Sequence, residues 1–203
     1  MGEAKIRLSA KEMELATNAD WILTKNGIIE KVKTLFGELQ EDMISILEKI
    51  PADIAPMLRS KPPKISKGEN YNGLPYLILD YPRLFDKENV FAIRSLFWWG
   101  NFFSITLHLG GAYKKQFENK CRDAYQQLKA QGFYVCVNTD EWEHHFDATN
   151  YISLESLTEK EWSLLIIEKP FLKMAIKYPI HQWDDIKNML AADFSSITAV
   201  LLR

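Results

Sequence analysis

Residues 90–109, VFAIRSLFWWGNFFSITLHL, constrain this chain more than any other stretch, because two apolar segments flank a turn-forming Gly100–Asn101 pair. In the second segment Phe103, Ile105, Leu107 and Leu109 point one way, while Phe102, Ser104, Thr106 and His108 point the other. In the first, Phe91, Ile93, Ser95 and Phe97 share one side, and Ala92, Arg94, Leu96 and Trp98 share the opposite one. A hairpin is the simplest link, and the number of loop residues decides how these sets combine. An even loop sets Arg94 opposite Leu107 among apolar neighbours. An odd loop, such as Trp99, Gly100 and Asn101, pairs Trp98 with Phe102 and puts Arg94 beside Thr106. Burying an unpaired guanidinium costs far more than any difference between turn types, so the sequence predicts an odd loop or an equivalent bulge. One face of the hairpin then becomes nearly all apolar, and the other becomes a candidate site.

The residues around this hairpin define the rest of the expected fold. Ser9 and Glu12 form a capping box that opens a helix bearing Met13, Ala16, Ala19 and Leu23, expected to end at TKNG. A second helix over 28–50 carries Ile29, Val32, Phe36, Leu39, Met43, Ile46 and Ile50 at steps of three and four. That stripe suits a core helix, and its spacing also suits a coiled-coil seam, so dimerisation through 28–50 is one alternative. Pro51 and Pro56 are expected to end the helical region, and RSKPPKISKGENYNG to form an exposed, locally basic connection. LPYLILDY, apolar on both faces, reads as an interior strand before the hairpin. The segment from Gly111 reads as a helix stopped by Gly132, FYVCVN and EWEHHFD as a second hairpin, and the remainder as a helical tail opened by a Thr158–Glu161 capping box and broken at Pro170 and Pro179.

The predicted fold is therefore a single α+β domain over residues 1–203. It has a helical N-terminal hairpin, a five-stranded mostly antiparallel sheet (three-strand meander, helix, two-strand hairpin) and a helical C-terminal tail.

Composition narrows the function classes. With 47% hydrophobic and 26% charged residues the chain has enough apolar surface to fold alone. A net charge of -2 supplies no global field for nucleic acid or an anionic membrane. The basic connection lacks the interleaved aromatics on which bases stack. Cys121 and Cys136 have neither disulfide-framework nor zinc spacing. The segment MGEAKIRLSA has no signal-peptide core, Ile6 stands where a myristoylation signal wants Ser or Thr, and no apolar run reaches membrane-spanning length. A cytoplasmic protein with no cofactor is expected.

The candidate ligand-binding face comprises Arg94, Ser104, Thr106 and His108, with Trp98 and Phe102 at the turn end. Arginine offers a fork of donors to a carboxylate or phosphate, histidine can carry a proton near neutral pH, and the rings can form a wall for a planar group. Gly110 and Gly111 open a helix whose free N–H groups, with Lys114 and Lys115 nearby, also favour an anion. The competing reading is a plain polar sheet surface. In EWEHHFD, strand alternation puts Glu141, Glu143, His145 and Asp147 on one side and Trp142, His144 and Phe146 on the other. Glu143, His145 and Asp147 are the metal-ligand candidates, and no metal is expected. No nucleophile elbow, zinc helix or phosphate loop is present, which leaves His108 as the candidate for a catalytic acid or base.

The segments GENYNGLPYLILDYPRLF and VFAIRSLFWWGNFFSITLHLGG resemble a family of uncharacterised bacterial proteins of about this length, most strongly over residues 68–111. The resemblance implies a bacterial protein and brings no activity, ligand or catalytic residue. The sequence expectation is thus a binding or interaction protein that holds a small anionic or planar ligand, or a partner segment, on the Arg94 and His108 face. The alternatives are an enzyme using His108 with Arg94 as anion anchor, and a structural subunit that dimerises.

Overall fold

A computed structural model describes residues 6–50 and 55–202. Pro51 and the first five residues, on which part of the N-terminal reading rests, lie outside the described residues. The described chain is α+β, with one seven-stranded antiparallel sheet in the order β1-β2-β3-β4-β7-β5-β6. The strands are β1 (Lys64–Tyr71), β2 (Leu74–Phe85), β3 (Val90–Trp98), β4 (Phe102–Gly110), β5 (Tyr134–Cys136), β6 (Tyr151–Ser153) and β7 (Phe171–Pro179). The helices are α1 (Ala10–Thr17), α2 (Ala19–Glu48), α3 (Ala55–Leu58), α4 (Gly111–Asp123), α5 (Tyr125–Ala130), α6 (Glu159–Glu168) and α7 (Ile186–Leu202).

The β3–β4 hairpin has the odd loop. Trp98 pairs with Phe102 and Arg94 with Thr106, so Arg94 and His108 lie diagonally on one face. Phe91, Ile93 and Phe97 join Phe103, Ile105, Leu107 and Leu109 on the other, where all seven are at most 2% exposed. Against this face pack α2, α4 and α7. The α2 stripe Ile29, Val32, Phe36, Leu39, Met43 and Leu47 is buried in the chain's own core, each side chain contributing roughly 1.5–3 kcal/mol. It is therefore not exposed as a coiled-coil seam.

Both expected capping boxes are present, Ser9 with Glu12 and Thr158 with Glu161. The first helical break differs. It falls at Asn18, whose side-chain oxygen accepts from Trp21 N and caps α2, and Gly27 of TKNG sits inside that helix. A mid-helix glycine costs about 1 kcal/mol, which the buried stripe beyond it outweighs.

Two strands more than the expected five are found, and a third element is displaced. The connection 64–71 is an edge strand joined to β2 through Asn72 and Gly73, both with positive φ (49° and 80°), the two-residue turn that an Asn-Gly pair favours. Residues 171–179, expected as helical tail, form β7 between β4 and β5, because Leu172, Met174, Ile176 and Tyr178 alternate onto the helix-covered face. The partner of β5 is β6, and residues 141–147 contain no strand.

Candidate functional site

The second face of the sheet carries polar side chains in two rows. Cross-strand pairing sets Asp80 beside Arg94 and Arg94 beside Thr106, and in the next row His108 beside Lys173. Residues 137–150, which link β5 to β6, lie over these rows as a strap. The result is a polar layer closed between sheet and strap.

Arg94 spends its fork inside the protein. Its Nε and Nη2 donate to Asp80 Oδ1 and Oδ2 at 2.7 and 2.9 Å, and its Nη1 lies 3.1 Å from His144 Nε2. A guanidinium only donates, so Nε2 of His144 accepts and the ring is neutral with its proton on Nδ1. Burial, followed by the charges of Lys173 and Arg94, holds His144 well below the usual histidine range. His108 is 6% exposed, and its Nε2 lies 2.7 Å from Glu141 Oε2. The spacing is that of an ion pair, yet burial and the cations Lys173 and Arg94 push the imidazole down to about 3. The contact is therefore a hydrogen bond from a neutral ring to the carboxylate. Glu141 is pushed upward by its own burial, against the pull of Lys173.

Lys173, 1% exposed, is the least expected member of the layer. Its ammonium donates to the backbone carbonyls of Glu141, at 2.9 Å, and Glu143, and lies 5.5 Å from the centre of the Tyr151 ring. No carboxylate among the described residues forms an ion pair with it. Burial lowers it to about 8, so it remains largely charged at neutral pH. Tyr71 secures the strap from the other side: its hydroxyl accepts from the N–H groups of His144 and His145 at 2.7 and 2.9 Å and donates to Glu143 at 2.8 Å. Phe146 stacks on Tyr151 with ring centres 4.5 Å apart.

Between strap and sheet, Phe85, Ala92, Arg94, Thr106, His108, His144 and Lys173 line a cavity of about 10 Å³. That volume holds at most one water. Trp98 and Phe102 do not reach it. They pack edge to face at 5.4 Å with Ile78, Leu96 and Phe146 in an apolar cluster at the turn end, where Trp98 Nε1 donates to Tyr71 O. Ser104 is buried opposite Leu96, between the two groups.

The helix opened by Gly110 and Gly111 is already engaged. Asn89 Oδ1 accepts from Ala112 N at 2.7 Å, and Lys114 is buried on Glu118 at 2.8 Å. The EWEHHFD segment corrects the alternation expected of it. Glu141 and His144, assigned to opposite sides of a strand, both reach the sheet, because the segment is irregular. Glu143, His145 and Asp147 are neighbours, but the two carboxylates meet different nitrogens of one ring, Nε2 at 3.7 Å and Nδ1 at 3.2 Å, and so diverge from any single ion. Among the described residues no group of three His, Cys, Asp or Glu side chains can hold a metal ion. None of the described helices is long and apolar enough to cross a membrane.

Asp80, Lys173 and Tyr71 were not among the sequence candidates. Asp80 had a readable signal, as the lone charge in the apolar strand LPYLILDY. Lys173 had a weaker one, the period-two pattern Phe171, Lys173, Ala175, Lys177. No family model, no curated protein and no solved structure matches this chain.

Proposed function

We propose that this is a binding protein whose Arg94 and His108 face receives a small anionic group, with the strap of residues 137–150 as the cover that must lift to admit it. The observation that supports this reading is Lys173, a buried ammonium satisfied by strap carbonyls and by no carboxylate. Arg94 faces the same cavity, and the carboxylates that reach the layer, Asp80 and Glu141, are engaged by Arg94 and His108 and leave the Lys173 ammonium without one. A carboxylate or phosphate oxygen entering there would meet the guanidinium of Arg94 and the ammonium of Lys173, the latter freed from the strap carbonyls as the strap lifts. The cavity's size means that binding and strap displacement occur together. The resemblance to a bacterial family, a cytoplasmic location and the absence of a nucleic-acid role belong to the same proposal.

The test is a thermal-shift screen against phosphate, carboxylic acids and nucleotides, run beside Arg94→Lys and Lys173→Met. A ligand at a hundred times its dissociation constant stabilises by about 2.7 kcal/mol, a rise of several degrees. A rise in the wild type that both variants lose supports the reading, and a flat profile across all anions overturns it.

A second reading, His108 as a general acid or base, has the 2.7 Å contact with Glu141 in its favour. Against it stands an imidazole kept neutral down to about pH 3, which makes a poor base at neutral pH. A bell-shaped rate profile lost in His108→Gln would restore it.

A further inference from the structure

The N-terminal arm is the part of the molecule least engaged inside the described chain, where Trp21 meets Trp99 with ring centres 6.2 Å apart. Residues 6–24 contain no buried residue, and every one of them stays more than a third exposed. Seven of the ten large apolar side chains exposed among the described residues fall between positions 6 and 23, from Trp21 at 40% to Ile6 at 100%. They do not form one stripe. Met13 and Leu15 project from nearly opposite sides of α1, and Trp21, Ile22 and Leu23 are consecutive in α2. Between them stand Lys11, Glu12, Glu14 and Asp20, so the arm has apolar groups on more than one side and charges among them. A free helical arm this short is also marginal in water without something packed on it.

The same helix holds a surface that can surround it. From Gly27 to Glu38, about 16 Å along α2 at 1.5 Å per residue, runs a groove of about 510 Å³ in which the apolar Leu35 and Trp183 stand among Glu30, Lys31, Asp184 and Lys187, a mixed lining like the mixed surface of the arm. At Gly27, which lines it, a Cβ would meet nothing within 4 Å, so another helix can approach the backbone closely there.

We infer that the arm docks on a second copy of this chain, each α1 and the first turns of α2 lying antiparallel in the Gly27–Glu38 groove of the other. The apolar arm ends four residues before the groove begins on the same helix. A two-fold axis near Gly27 therefore brings each arm onto the other copy's groove, as an isologous contact requires. Seven large apolar side chains, 40% exposed or more, are also of the scale of the roughly 800 Å² per partner in a standard stable interface. The inference does not depend on the proposed anion site, since no arm or groove residue belongs to the polar layer.

Light scattering on the full chain at tens of micromolar should give twice 23.6 kDa. Ile22→Asp with Leu23→Asp should give the monomer mass with one cooperative unfolding transition retained, because both side chains are exposed within the chain, and should lose only the helicity of the arm and the stabilisation that association adds. A mixture of Leu23→Cys and Lys31→Cys chains should cross-link as a heterodimer on oxidation, the native Cys121 and Cys136 being buried. A monomer at all these concentrations, a dimer that survives the two aspartates, or a monomer mass with the arm captured by other proteins overturns the inference.

Discussion

The two faces of one β-hairpin are built on opposite principles. On the helix-covered face, Phe91, Ile93, Phe97, Phe103, Ile105 and Leu107 are sealed by three helices, and cohesion comes from apolar area and close packing. On the strap-covered face, His108 and Lys173 are almost as deeply buried and Arg94 is 17% exposed, yet all three are held by hydrogen bonds to a segment without regular structure. A packed apolar layer has only whole-molecule routes to water. A polar layer under a loop can reach water by moving that loop, and keeps its donors satisfied in either state.

Phe103→Ala is the largest break to make in the comparison. It should cost roughly 3–5 kcal/mol in urea unfolding, because the ring is fully buried and edge to face with Phe36. On the other face Asp80→Asn leaves Arg94 without its carboxylate. Removing one partner of a fully buried pair costs about 3–5 kcal/mol, and side-chain exposures of 12% and 17% reduce this to about 2 kcal/mol. A double Asp80→Leu and Arg94→Met variant should recover most of the loss, an outcome with no analogue at Phe103.

Acid should act through the strap-covered face. His108 is neutral in the fold down to about pH 3, whereas in the unfolded chain it takes a proton below 6.5. Its contribution is therefore complete above pH 6.5 and is lost progressively as pH falls toward 3. Asp193 opposes this. Burial holds it up to about 6, so its contribution is full below its ordinary 3.8 and is lost as pH rises through 6. His108→Gln should flatten the acid side of the stability curve by about 1–3 kcal/mol and leave the Asp193 slope in place. An unchanged acid limb would remove His108 as its cause.

The smallest expected effect sharpens the contrast. Ser95 is the polar intruder on the apolar face, fully buried with no hydrogen-bond partner for its Oγ. Ser95→Ala should be neutral or stabilising by up to about 1 kcal/mol. A clear loss would mean that this face also depends on a polar contact.

How far each face was legible in the sequence follows the same division. The hairpin register was readable because one wrong placement, Arg94 among leucines, was too costly, and the α2 stripe was readable because helical spacing is local. The strap was not, since EWEHHFD imitates strand alternation over seven residues, and only contacts to Tyr71, Arg94 and Lys173 reveal it as irregular. Strand β7 was hidden by Pro170 and Pro179, which look like helix breaks but here bracket a strand. Strand β1 was hidden by its lysines, although Asn72 and Gly73 were an available hairpin signal. The site was half visible for this reason. Arg94, Thr106 and His108 sit on strands whose faces can be counted, while Asp80 and Lys173 join them only through the sheet order.

That sheet order also decides how the protein resists polymerising. One margin is β6, three residues long, and the other is β1, with Lys64 and Lys67 along it and Pro62 and Pro63 just before it. Short strands, lysines and prolines are what discourage a neighbouring molecule from adding a strand of its own. The long central strands β3 and β4, rich in Phe, Ile and Leu, are paired on both sides. Aggregation through cross-β contacts therefore requires the sheet to come apart first, and should track global unfolding.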